Sequence, residues 1–410
     1  MHAFNRYDEP AQLERELCPV LPSIDRAQYP FSLNRICYEV QRRNAATSLP
    51  RFLHAGNNSR RHAPDTHRAL ARSSGPPRPM KTMPPTLFSI IIPSRNRASL
   101  CARALQSVRA QHFDRIEIIL VVDGSTPEEL AAYRELATRS GPTVTLLELP
   151  HREQGHGPSF ARNEGVSAAT GTYVGFLDDD DEWTDPEHLG QVNAALEASG
   201  YAIQAYFTNQ IGVFADGSEH PGPLWLSALA TRLGDEHDAR GCYSVNARQL
   251  LSGDSFAHLN CSIYRRDIFS SIGGFDETLR YEEDRDLFLR MIDAAQDIRY
   301  HPSVVARHFI PEPARRDNVT TNLSALQKQL GQLRVFDKAI TFSHQTAVRD
   351  YARRAKTYTL KHLGRELENA GRDAEALAFM RQALATSFSF KWLAYILIRW
   401  LRSSMRNVTR

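Results

Sequence analysis

The chain is poor in cysteine, with five in 410 residues: Cys18, Cys37, Cys101, Cys242 and Cys261, far apart and without a C-x-x-C pair. An odd, scattered set supports neither a disulfide framework nor a zinc site, and fits a reducing compartment. No uninterrupted apolar run approaches the ~18 residues that span a bilayer, and the opening MHAFNRYDEP lacks the apolar core of a signal peptide. A cytoplasmic location is the expectation. Charge of one sign is also missing. The net charge is +3, with 24% charged and 42% hydrophobic residues, which suits a soluble globular protein and argues against bulk nucleic-acid binding. No G-x-x-x-x-G-K loop is present, so Gly155-His-Gly157 reads as a tight turn. No two histidines stand at helical ligand spacing, so His151, His156 and His301 read as satisfied or surface residues.

What the chain does have is acid concentrated in one place. Asp178 to Asp181 and Glu182 stand directly behind the apolar run Tyr173 to Leu177. Adjacent like charges repel, so one or more must meet a cation or titrate high. A short apolar run bounded by turn residues is a buried strand. Its acidic end then lies where open α/β sheets bind ligands. Oxygen-rich clusters suit hard cations such as Mg²⁺ or Mn²⁺. Taken alone, the same run reads equally as an acidic surface turn or helix start.

The chain divides into three stretches. Residues 1–85 look unlike the rest: from Arg51 to Pro85 they have no apolar periodicity and are rich in Arg, Pro, Ser and His with Asp65 the only acid. This N-terminal segment is expected to be a largely disordered basic linker. Pro19 to Val40 carries enough Leu, Ile, Tyr and Phe for a short docking segment, and Met80 or Met83 is an alternative start. Residues 86–312 alternate strands with helices. Strands are predicted at Phe88–Pro93, Ile116–Asp123, Val144–Leu149, Tyr173–Leu177 and Ala202–Phe214, and helices at Ala98–Gln111, from Pro127, at Ser159–Ala169 and at Pro186–Ala198. That alternation implies βαβ units and a mostly parallel sheet with right-handed crossovers. Residues 216–258 read as a long irregular lid or acceptor-binding region. A strand at Cys261–Tyr264, a helix from Glu282 and an extended Ile298–His308 follow.

Three polar sites fall at the C-terminal ends of predicted strands: Ser94-Arg95-Asn96, Asp123, and Asp178 to Asp181. In a parallel sheet those ends converge on one edge and can form one pocket. Singly, Asp123 is equally a turn residue and Ser94 a helix cap.

Five segments occur in a telling order: Ser89-Ile-Ile-Ile-Pro-Ser-Arg-Asn96, Val121-Val-Asp-Gly-Ser125, Ala161-Arg-Asn-Glu-Gly165, Phe176-Leu-Asp-Asp-Asp-Asp-Glu-Trp183, and Gly273-Gly-Phe-Asp276 followed by Glu283-Asp284. From about Leu87 to His308 the chain resembles glycosyltransferase family 2. The resemblance implies an inverting enzyme of the GT-A fold, with a Rossmann-like sheet flanked by helices, a nucleotide-diphosphate-sugar donor and a divalent cation, Mn²⁺ or Mg²⁺. It assigns Pro93, Ser94 and Arg95 to the nucleotide site, and Asp123 to the nucleobase, typically uracil. Asp178 and Asp179 fall near ribose and phosphate, and Asp180, with Asp178, at the metal; four consecutive aspartates leave Asp181 as the alternative ligand. Arg162 and Asn163 match a segment beside that site, Asp284 the catalytic base with Glu283 next to it, and His308 a late histidine near the diphosphate. A first-turn position would lower the Asp284 pKa through the helix dipole. The plain alternative for Glu282-Glu-Asp is ordinary acid enrichment in a first helical turn.

Residues 313–410 form a helical C-terminal region without an acid–base constellation. Leu363-Gly364, Leu367, Gly371, Ala376, Met380 and Ala383 resemble one tetratricopeptide-type hairpin, which packs on the catalytic domain or mediates a homodimer. In the last helix Lys391, Arg399, Arg402 and Arg406 share one arc, with Trp392, Leu393, Ile396, Leu397 and Trp400 over the rest. That pattern fits peripheral contact of residues 390–410 with the inner face of the plasma membrane, or equally burial with the basic stripe outside. The expected activity is sugar transfer from a nucleotide donor, such as a UDP-sugar, to a hydroxyl of a glycan or lipid-linked saccharide in surface polysaccharide assembly. The alternatives are a sugar nucleotidyltransferase, which would want a Gly-rich first loop that Pro93-Ser-Arg-Asn-Arg97 does not provide, and a non-catalytic scaffold on a relic sheet.

Overall fold

The computed structural model describes residues 86–226, 228–253, 256–311 and 322–408; the linker expected before residue 86 lies outside them, as does the 312/313 boundary. In chain order the first elements are β1 (Phe88–Ser94), α1 (Ala98–Arg109), β2 (Ile116–Val122), α2 (Pro127–Ser140), β3 (Val144–Glu148), α3 (Pro158–Ala168) and β4 (Tyr173–Phe176). There follow β5 (Glu182–Trp183), α4 (His188–Ala198), β6 (Ala205–Val213), α5 (Leu229–Leu233), β7 (Tyr243–Val245), α6 (Ala247–Leu250), β8 (Ser262–Arg265), α7 (Arg266–Ser271), α8 (Glu283–Ala294) and β9 (Ile298–Phe309). Helices α9 (Ala325–Phe342), α10 (Thr346–Asn369), α11 (Asp373–Thr386) and α12 (Phe390–Val408) close the chain.

One sheet takes the order β3-β2-β1-β4-β8-β6-β9-β5, with β7 also on β9. Strands β1 to β4, β6 and β9 run one way, while β8, β5 and β7 run against them. The alternation of β1 explains how both faces fill. Ile91 joins the core under α3 with Val121 and Ala161, whereas Ile90 and Ile92 join the core under α1 with Ala104, Leu105 and Val108. Strands buried on both faces read as continuous apolar runs, as these do. Gly165 sets the approach of α3, because a Cβ there would stand 2.6 Å from Ile91 Cγ2.

Two regions differ from expectation. Residues 216–258 are not one irregular loop: they contain α5, β7 and α6, the last held by an Asn246–Gln249 capping box. Leu229, Cys242, Tyr243, Val245, Ala247 and Leu250 are buried there. Elements of three to five residues are too short to show a hydrophobic period. In the C-terminal region, Val335, Phe336, Ala339, Val348, Tyr351 and Ala352 share a core with Phe288, Leu289 and Ile292 of α8. Helices α9 and α10 therefore complete the sheet's hydrophobic core. The α10–α11 hairpin closes through Leu363, Leu367, Ala376, Met380 and Ala383, with Gly364 against Met380. On α12, Arg399 turns inward to Glu368 and Asp373 rather than outward in a basic stripe, because two acids stand opposite it. Among the described residues no helix is long and apolar enough to cross a membrane.

Candidate active site

The acidic run leaves the sheet directly after β4, and each carboxylate has a different environment. Asp181 is fully buried: its Oδ1 accepts from the Phe309 amide at 2.8 Å, and its Oδ2 from Asn260 at 2.6 Å and His308 Nδ1 at 2.8 Å. Both oxygens are committed. Burial opposes a charge on His308, but Asp181 outweighs it and holds the imidazole up at about 9. Its Nδ1 is engaged by that bond. Asp179 is also buried, accepting from Ser94 Oγ at 2.5 Å and pairing with Arg97 at 2.5 Å. Asp180 is partly open and pairs with Arg97 at 3.1 Å, while its carbonyl accepts from Arg103 at 2.5 Å. Asp178 pairs with Arg162 at 2.7 Å and lies 3.8 Å from His258 Nε2.

These charges do not balance evenly. Burial would raise Asp178, but Arg162 pulls it well below the usual carboxylate range. Burial pushes Asp179 and Asp180 up, aided by neighbouring carboxylates and opposed by Arg97. Among the described residues no group of three or more His, Cys, Asp or Glu side chains is arranged to hold a metal ion. A hard divalent cation fits otherwise: one or two carboxylates suffice when waters and phosphate oxygens complete the shell. The partly open, under-neutralised Asp180, with Asp178 beside it, is a donor set of that kind.

Arg162 joins this cluster to the second one. It projects from α3, is buried, and donates to Asp178 at 2.7 Å and Glu283 Oε1 at 2.9 Å. The neighbouring Asn163 fixes the Gly-rich turn by bonding the Phe275 carbonyl at 3.0 Å and amide at 2.9 Å. That is why adjacent residues of one segment serve two parts of the site. Glu282 caps α8 in the left-handed region at φ 65°, a position that costs on the order of 1–3 kcal/mol without Gly. It is gripped by Arg285 at 2.5 Å and by Gln332 of α9 at 2.9 Å. Lys338 of α9 adds contacts to Asp276 at 2.9 Å and Asp286 at 3.0 Å.

Asp284 follows this clamp, and the one hydrogen bond to its carboxylate among the described residues comes from the Arg285 amide at 2.7 Å. Burial, with Glu283 and Glu282 adding, pushes it up to about 7. The helix-dipole expectation of a lowered pKa is overturned. Desolvation and two adjacent carboxylates outweigh a first-turn effect worth at most ~2 kcal/mol.

The nucleotide-site expectations land differently. Pro93 lies in β1 beside Val121, and Ser94 Oγ reaches Asp179 and the Tyr133 hydroxyl. Arg95 instead donates to the Arg152 and Glu153 carbonyls, at 3.2 and 2.5 Å. Asp123 accepts from the His156 and Gly157 amides at 2.7 and 2.9 Å, so the tight Gly155–Gly157 turn is its cradle. A Cβ on Gly155, at φ 64°, would stand 2.6 Å from Asp123 Oδ2. Sequence reasoning missed Arg97, His258, Asn260 and Trp225. Trp225, at φ 61°, stacks on His258 with ring centres 4.9 Å apart and meets His308 edge-on at 5.4 Å. Arg97 had a local signal, standing three residues beyond Ser94 at the start of α1; the others come from distant segments.

A sheet of this order with an acidic strand end places the chain in the GT-A fold class. The solved structure of S. aureus TarS 1–349 in complex with UDP-GlcNAc is similar to it, with a TM-score of 0.55 over 77% of this chain and 88% of that one at 17% identity. Residues 89–273 match the family described as Glycosyl transferase family 2. A PGL/p-HBAD biosynthesis glycosyltransferase of Mycobacterium tuberculosis is 28% identical over 223 residues, covering 54% of this chain and 76% of the relative. The amylovoran biosynthesis glycosyltransferase AmsB of Erwinia amylovora is 26% identical over 210 residues, covering 50% and 63%.

Proposed function

We propose that this protein transfers a glycosyl group from a nucleotide-diphosphate sugar, a UDP-sugar in the first instance, to a hydroxyl of a glycan or lipid-linked saccharide, inverting the anomeric centre. The observation that carries the reading is Arg162, whose two ends touch Asp178 of the strand-end cluster and Glu283 of the helix-start cluster. One buried side chain thus ties Asp178 to Glu283, the neighbour of Asp284. Asp123, Ser94 and the strand ends would line the nucleotide, and the biosynthetic roles named for relatives favour a surface polysaccharide or glycolipid acceptor.

Asp180, with Asp178, would hold Mg²⁺ or Mn²⁺; the committed oxygens of Asp181 favour this register. When bound, that cation offsets the charge developing on the diphosphate. Asp284 takes the proton from the acceptor hydroxyl. The acceptor oxygen forms a bond to the anomeric carbon from the face opposite the donor phosphate. The bond from that carbon to the phosphate oxygen breaks, and its electron pair leaves with the nucleoside diphosphate. A carboxylate titrating near 7 is well matched to this task, since base catalysis is most efficient when the pKa lies near working pH. The test is release of nucleoside diphosphate from a panel of UDP-, GDP- and dTDP-sugars with acceptor and Mn²⁺, followed by the anomeric configuration of the product. Retained configuration, or turnover undiminished in Asp284→Asn, would refute the reading.

A further inference from the structure

Helix α12 shows two unlike faces. On one, Ile396 is buried, Trp392 Nε1 donates to the Met380 carbonyl at 3.0 Å, Tyr395 bonds Glu368 at 2.8 Å, and Arg399 meets Glu368 and Asp373. This face seats the helix on the α10–α11 hairpin. The other carries large apolar side chains in water: Phe390 is 80% exposed and Leu397 and Ile398 are each 51%, with Phe388 just before the helix at 60%. Phe390, Leu397 and Ile398 lie seven and one residues apart, which places them on one side of a helix. Ordinary surfaces scatter single apolar residues; here Phe388 and Phe390 meet edge-on at 4.9 Å and Leu397 and Ile398 continue along the same helix, which marks an interaction surface.

The charge around that surface selects its occupant. From Phe388 to Arg410 the sequence has no acid, and besides Arg399, which is paired with Glu368 and Asp373, it has four basic residues, Lys391, Arg402, Arg406 and Arg410. A second copy docked face to face would bring two wholly basic segments together and repel. An anionic lipid surface would attract them. The helix is 19 residues long and too polar to span a bilayer, so its geometry is that of a helix lying in the interface with its apolar side down.

We propose that α12 docks this protein on an anionic membrane surface, with Phe388, Phe390, Leu397 and Ile398 inserted below the headgroups and the acid-free basic segment against them. The proposal does not depend on the catalytic reading. It rests on the outward apolar face, whereas the arc of basic residues alone would have put Arg399 outside. Docking would bring the site to acceptors that reside in a membrane.

The test is co-sedimentation of the full chain with phosphatidylcholine vesicles and with vesicles that also contain phosphatidylglycerol, for wild type and the triple variant F390E/L397E/I398E. All three positions are exposed, so the fold is retained, as circular dichroism would verify. Wild type should partition onto the anionic vesicles, less at high salt, and the triple variant should bind at least about tenfold more weakly. Nucleotide binding should be the same in both proteins. Failure of wild type to bind anionic vesicles, or equal binding by the variant, would overturn the proposal. So would a wild-type dimer that the triple variant makes monomeric while vesicles retain neither.

Discussion

Asp181 is fully buried and Asp284 partly buried at the same candidate site, and their surroundings are opposite. Asp181 accepts three hydrogen bonds, one from a histidine that it holds protonated. Asp284 accepts one, from a backbone amide, and faces Glu283 and Glu282. The first is an anchor: it ties the end of β4 to β9 and to the short turn before β8. The second follows a strained cap at Glu282 that Gln332 of α9 holds. On the proposed function, stability and reactivity fall to different acids, and each substitution below separates the two roles.

The largest effect is expected at Asp284. Asp284→Asn should lower kcat by about 10²–10⁴-fold, the usual worth of a positioned base. Thermal unfolding should show no loss of stability, because burial, Glu283 and Glu282 disfavour the charge that the change removes more than Arg285 favours it. Asp181→Asn should do the reverse. It leaves a buried imidazolium without its partner, and denaturant unfolding should show a loss of about 3–5 kcal/mol.

The comparison also sets a pH dependence. Asp284 titrates near 7 in the folded chain and near ~3.9 when unfolded. The folded state therefore binds more protons between those values. The stability contributed by this group is complete below the unfolded pKa and is lost as pH rises through about 7. Unfolding free energy measured against pH should lose that component in Asp284→Asn. The rate has the opposite sign: the base must be ionised, so kcat/KM should fall as pH drops through the same region. The smallest effect is expected at the clamp. Gln332→Ala removes one hydrogen bond to Glu282, and should cost about 1 kcal/mol; it should lower kcat several-fold while leaving nucleotide affinity unchanged.

Much of this was legible in the sequence wherever the information is local. The strands β1, β2 and β4 announce themselves as apolar runs, and their polar ends converge because the sheet is parallel there. Roles set by distant partners were not legible. Asp181 looks like its neighbours in sequence, and its anchors Asn260 and His308 lie 79 and 127 residues away. The pKa of Asp284 failed for a similar reason. A first-turn rule sees the helix start but not the enclosure around it, nor the α9 clamp 50 residues beyond Glu282. In the last helix the arc of basic residues was visible, but which face would be buried depended on Glu368 and Asp373 of other helices.

The division between a donor-side cluster and a separate base is tested most directly by calorimetric titration of the full chain with UDP, with and without Mn²⁺, alongside Asp180→Ala and Asp284→Asn. The account predicts binding that requires Mn²⁺, is lost in Asp180→Ala and is preserved in Asp284→Asn. Binding indifferent to Asp180, or abolished by Asp284→Asn, would contradict it.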